Sequence, residues 1–174
     1  MNYNPSTIAR IGDIVAGLRV DSGVLGNSTY LARNQVEDFN VYGRILLLNL
    51  FMESITNWGA QATLFQYTYS CLLHTGGAIA STKLGLVSST LASMTIGGRV
   101  AWTGGAVGGS NHLWTDKTGG VTDLTCLTPA IIGYASGVST IGHLTTIASQ
   151  LSGTHQHSLF YVPISDGAYV EAVR

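Results

Sequence analysis

The sequence predicts an all-β protein, a β-sandwich or jelly-roll-like barrel with an extended amino-terminal arm. Three observations predict it: short apolar runs at close spacing, paired glycines between them, and no long amphipathic helical pattern. The glycine pairs are Gly76-Gly77, Gly97-Gly98, Gly104-Gly105, Gly108-Gly109 and Gly119-Gly120. Each offers turn positions that carry no side-chain penalty at positive φ.

Residues 1–40 read as the arm. Its apolar pieces, Ile11–Val15, Leu18–Val20 and Val24–Leu25, are broken by Gly12, Gly17, Gly23 and Gly26. None is long enough to hold a helix alone. Such a segment either adds a strand to its own sheet or reaches onto a neighbour, and both outcomes stay open. Charge marks the same division. Arg10, Asp13, Arg19, Asp21, Arg33, Glu37, Asp38 and Arg44 lie in the first quarter, whereas Ser54 to Thr115 carries only Lys83 and Arg99. A sandwich body over residues 41–174 is therefore expected.

The body opens on a strand. With period two, Ile45, Leu47, Phe51 and Ile55 face one side, and Leu46, Leu48, Leu50 and Met52 the other. Two apolar faces suit a strand covered on both sides. A buried helix is the rival, and the threonine- and aromatic-rich run from Gln61 to Ser70 favours the strand. Further strands are expected at Lys83–Val87, Thr90–Ile96, Arg99–Trp102, Val121–Leu127, Ile131–Tyr134, Thr140–Ser149, His157–Ile164 and Ala168–Val173. Between the last two, Asp166-Gly167 fits the central positions of a type I′ hairpin turn. Pro163, lacking an N–H, is expected at an edge or a bulge.

Composition narrows the function. Charged residues are 10% of the chain and the formal net charge is −1, so the basic patch that nucleic acid requires is missing. The longest apolar stretch, Ile45 to Met52, is interrupted by Asn49 and falls short of the ~20 residues of a spanning helix. The start, MNYNPSTIARIGD, has no apolar signal-peptide core. Cys71 and Cys126 lack CxxC spacing and read as small buried hydrophobes. A surface this poor in charge is expected to be covered by partners.

Catalytic constellations are weak. No G-x-S-x-G elbow, phosphate-binding loop or convincing carboxylate pair occurs, so no enzyme, catalytic residue or cofactor is expected. His155 and His157 share one face of a strand, a spacing found in metal sites, but nothing nearby supplies a third ligand. His143 and Asp166 could join them only through folding. The pair therefore reads as polar side chains at an edge or interface, with no metal. Trp102 and Trp114 flank the glycine loop 103–112 and read as core or interface anchors rather than a sugar-stacking platform.

Two segments carry a resemblance. The run Ser158 to Ala172 (SLFYVPISDGAYVEA) and the run Tyr42 to Thr56 (YGRILLLNLFMESIT), the latter followed by Gln61-Ala-Thr-Leu, resemble the closing and earlier motifs of small virion structural proteins of tailed bacteriophages. They cover about a quarter of the chain, and Ser158 stands where that family often has tryptophan. The resemblance implies a capsid decoration (cement) protein: a homotrimer on the outer surface of the head, bound to the major capsid protein and stabilising the shell. A tail-associated structural or receptor-binding protein is the alternative. The interface would draw on Ile11, Ile14, Val15, Leu18, Val20, Leu25, Tyr30, Trp102 and Trp114.

Overall fold

A computed structural model describes residues 17–71, 80–85, 87–102, 104, 113–117 and 129–174. In chain order they form β1 (Leu18–Asp21), β2 (Leu25–Gly26), a one-turn helix α1 (Asn27–Tyr30), β3 (Gln35–Ser54) and β4 (Thr63–Cys71). Then come β5 (Ala80–Lys83), β6 (Arg99–Trp102), β7 (Leu113–Asp116), β8 (Ala130–Ile147), β9 (Thr154–Pro163) and β10 (Tyr169–Ala172). All strand pairings are antiparallel, in one sheet whose main path runs β1-β9-β3-β8-β4-β5. The all-β class is as the sequence predicts, and the sheet folds over on itself into a sandwich-like body.

The 20-residue β3 organises the sheet. One side of it pairs with β8 over Gln35–Leu47 and then with β6 over Leu50–Glu53. Its other side pairs with β10 over Phe39–Tyr42 and then with β9 over Ile45–Ser54. A strand this long reaches from one layer to the other, so the inner faces of β4 and β9 meet: Tyr67 Oη lies 3.2 Å from His157 Nδ1. The core between them holds Phe39, Val41, Ile45, Leu47, Leu50, Met52, Phe65, Tyr67, Ile141 and Leu159, all sealed from solvent. Each large apolar side chain buried this way contributes roughly 1.5–3 kcal/mol.

Two β-bulges reset which side chains of β3 point inward. The inward set is Val36 and Asp38, then Phe39, Val41, Ile45 and Leu47, then Leu50, Met52 and Ser54. The phase changes at register shifts between Glu37 and Phe39 and between Leu47 and Asn49. Uninterrupted alternation grouped Ile45 and Leu47 with Phe51 and Ile55; the second bulge groups them with Leu50 and Met52 instead. An extra residue in one strand flips every side chain beyond it.

The amino-terminal division moves. Residue 40 lies inside β3, and the chain from Leu18 onward is built into the sheet, with β1 on β9 and β2 on β9. The charge shift near Val41 is thus a change of surface chemistry along one continuous strand. Residues 1–16 lie outside the described residues, including Ile11, Ile14 and Val15.

The carboxyl terminus is not a hairpin. β9 and β10 do not pair with each other; they follow one another along the same side of β3. Residues between them loop out and return. Ser165 Oγ accepts the Arg44 N–H at 2.9 Å, and Ala168 N–H closes a turn on Ser165 O at 3.1 Å. Only Gly167 of the Asp166-Gly167 pair has positive φ, at 71°, whereas a type I′ turn needs it at both. The loop fits because Gly43 faces it: a Cβ there would lie 2.7 Å from Ser165 Oγ. Pro163 ends β9 at this departure, consistent with its missing donor.

Elsewhere Arg99–Trp102 is a strand as predicted, and Ile131–Tyr134 merges with Thr140–Ser149 into β8. Lys83 closes β5 rather than opening a strand, and the Thr90–Ile96 region forms turns, with Met94 N–H on Leu91 O. Val121–Leu127 and Cys126 lie outside the described residues, and Cys71 is half-buried at the end of β4. No helix among the described residues is long and apolar enough to cross a membrane.

Candidate functional site: a buried histidine cluster

Strand alternation carries three histidines into one point of the core. On β8 the inward residues Ser139, Ile141, His143 and Thr145 are all buried. On β9, His155 and His157 face inward, paired across from Ser54 and Met52 of β3. All three histidines are sealed at 0% exposure, and one ring nitrogen from each lies within 4.8 Å of one from each of the others. The His143 and His157 rings stack at 5.0 Å, and His155 meets His157 edge-on at 5.0 Å. Phe65 stacks on both His143 and His157, and the edge of Trp58 closes over His155.

The first β3 bulge supplies the acid. Asp38 is the extra residue between Glu37 and Phe39, and the bulge turns its carboxylate inward, where it is 1% exposed. Its Oδ2 lies 2.8 Å from His143 Nδ1, while its Oδ1 stands 3.7 Å from His157 Nε2. The other nitrogen of His143, Nε2, lies 2.9 Å from the Tyr30 carbonyl. Both partners of His143 are acceptors, so both ring nitrogens donate and the ring is an imidazolium. Burial alone would keep it neutral. The Asp38 charge and hydrogen bond, with the Tyr30 carbonyl, outweigh burial and raise its pKa.

The other two rings are neutral. Burial, together with the His143 charge, pushes His155 down to about 3 and His157 well below the ordinary histidine value. His155 Nδ1 donates to Asn27 Oδ1 at 2.8 Å, and Asn27 in turn donates to the Ser152 carbonyl at 2.9 Å. Gly153 lets this segment approach, since a Cβ there would meet Asn27 Nδ2 at 2.9 Å. His157 Nδ1 is held by the Tyr67 hydroxyl. The Nε2 atoms of His155 and His157 are buried without a hydrogen-bond partner. An orphaned buried polar atom is costly, about 1–3 kcal/mol each, so two in one cluster require an explanation.

The chemistry open to this group is restricted. His143 has no lone pair with which to take a proton from a hydroxyl, so with Asp38 it does not form a serine-activating dyad. Three imidazoles with an adjacent carboxylate are instead a set of donors suited to a divalent transition metal.

The structure therefore brings His143 to His155 and His157, the ligand that sequence spacing could not supply. The three form one core cluster, and they are not edge or interface side chains. Asp166 stays outside it, in the loop between β9 and β10. Asn27, Asp38 and Tyr67, missing from the sequence reading, complete the group. The inward alternation of β8 was the one signal for His143; Asp38 depended on a bulge that leaves no mark in the sequence.

The predicted interface residues scatter. Trp102 is 1% exposed and its Nε1 donates to the Leu84 carbonyl at 2.7 Å, so it is a core residue offering no face to a sugar or partner. Leu25 is also buried. Leu18 and Val20 pack against the core from β1, half-buried. Tyr30 is half-buried at the end of α1, with the Arg174 guanidinium 5.0 Å above its ring. Trp114 lies in β7, paired across from Ala101.

No protein-family model, curated protein or solved structure matches this chain.

Proposed function

We propose that the chain is a non-catalytic structural protein that works by packing against copies of itself and a larger assembly, in the finer reading a capsid decoration protein on the outer surface of a phage head. The observation that carries the reading is the chemistry of the exposed surface. Ile96, Ile131, Ile147 and Leu151 are each more than half exposed, on a chain of which only 10% is charged. Exposed apolar area with little surrounding charge favours coverage by partners. The buried histidine cluster fits the same reading, because a substrate has no route to groups at 0% exposure. The two segments that resemble phage virion proteins supply the head and the trimer.

Immunogold labelling of the phage particles whose genome encodes the chain tests it. Dense labelling over the head is expected; labelling confined to the tail would assign the tail-associated alternative, and unlabelled particles would overturn both. Because β1 belongs to the body, a clamp in the arm is tested by deleting residues 2–16. Loss of particle binding by a folded variant is expected, and full binding would refute the clamp.

A further inference from the structure

We propose that His143, His155 and His157 form a structural zinc site in the core of the sandwich, ligating through their Nε2 atoms. The outer partners point to it. Each ring has its Nδ1 engaged: His143 by Asp38, His155 by Asn27 and His157 by Tyr67. That is how metal-ligating histidines are held, with one nitrogen on a carboxylate, carbonyl or hydroxyl and the other turned to the ion. Of the three remaining Nε2 atoms, two are the buried orphans, and the third rests on the Tyr30 carbonyl. Binding replaces the His143 Nε2 proton by the metal and releases that carbonyl; one proton leaves per ion bound.

The distances suit a site that tightens slightly. Ligand nitrogens around a tetrahedral zinc sit about 3.3 Å apart, given bonds of about 2.0–2.1 Å. One ring nitrogen of each histidine lies within 4.8 Å of one of each of the others, so bringing that trio to tetrahedral spacing takes a closure of at most about 1.5 Å. The Asp38 carboxylate, 3.7 Å from His157 Nε2, places negative charge against the cation. Three neutral nitrogen ligands favour zinc or its borderline neighbours over magnesium or calcium, which take oxygen. The burial that denies a substrate access makes the site structural. The ion would tie β8 to β9, and through their Nδ1 partners it would tie in β3, β4 and α1.

The test uses the untagged full chain, stripped with EDTA, exchanged into chelator-free buffer and titrated with zinc sulfate. One zinc per chain after gel filtration and a thermal midpoint higher by several degrees are expected. Cobalt(II) in place of zinc should show the strong visible bands of a tetrahedral nitrogen-rich site. Asn27→Ala, which removes only an outer partner, should weaken zinc binding about 10- to 100-fold. The double variant His155→Gln/His157→Gln should bind no zinc in the core. A folded stripped protein with less than 0.1 zinc per chain at about 10 μM free zinc, a range where structural zinc sites saturate, would overturn the proposal. So would equal binding by the double variant. Should that variant fail to fold, the wild-type cobalt spectrum decides: only weak octahedral bands would sink the site.

Discussion

Gly142→Ala is the sharpest test of how this fold places its buried cluster. Gly142 lies on β8 beside His143, paired with Glu37 at the β3 bulge that turns Asp38 inward. A Cβ built on Gly142 would sit 2.1 Å from the Val36 carbonyl oxygen and 3.0 Å from its carbon. Both are backbone atoms, so no rotamer change relieves the contact. An ordinary carbon–oxygen contact needs over an ångström more, and that separation must come from prising β3 from β8 at the bulge. Breaking two buried backbone hydrogen bonds costs about 1–3 kcal/mol each, so a loss of about 2–6 kcal/mol is expected. For a chain of this size that corresponds to about 10 °C in thermal midpoint. Urea unfolding followed by tryptophan fluorescence measures it. Gly26→Ala is the control: a Cβ there meets nothing within 4 Å and φ is −79°, so its midpoint should move little. If Gly142→Ala unfolds within 1 kcal/mol of the parent, a threshold near the ordinary effect of a substitution, the close approach of β8 to the bulge is wrong.

Trp102→Ala should cost about 3–5 kcal/mol in the same assay, because a fully buried indole is lost and the Leu84 carbonyl left unpaired. Trp102→Phe should cost less, and an Ala variant as stable as the parent would return Trp102 to the surface. In chelator-stripped protein, acid should destabilise the fold through His155 and His157, which stay neutral when folded and take up protons near pH 6.5 when unfolded. His155, held down to about 3 in the fold, then removes about 2 kcal/mol between pH 6.5 and pH 5, and His157 adds to the loss in the same direction. His143 acts with the opposite sign: its contribution is fully present below 6.5 and is lost as pH rises through its raised pKa. A urea midpoint unchanged between pH 7 and pH 5 would contradict the neutral pair. Gly133→Ala should also fail to fold normally, since its Cβ would meet the Gly43 carbonyl at 2.0 Å; circular dichroism of the purified variant checks it.

The sequence by itself determined the all-β class and the positions of most strands. It did so because alternation, β-branched and aromatic residues and glycine breaks are local properties, and a strand expresses them wherever it pairs. It also marked His155 and His157 as sharing one face, which period two alone requires. The tertiary structure decided everything that depended on pairing and phase. Asp166-Gly167 looked like a hairpin because its flanks are strands, yet those strands pair with β3 in succession and leave a looped turn. The alternation along Ile45–Met52 pointed the wrong set of side chains inward beyond Leu47, because a bulge is one unpaired residue with no sequence signature. Trp102 beside a glycine-rich stretch read as either a core residue or an interface anchor, and the folding of one layer over the other made it core. The histidine cluster is the clearest case. Its members come from two strands on opposite sides of β3, and its carboxylate comes from a bulge within β3, so only the folded sheet brings them within reach of one ion.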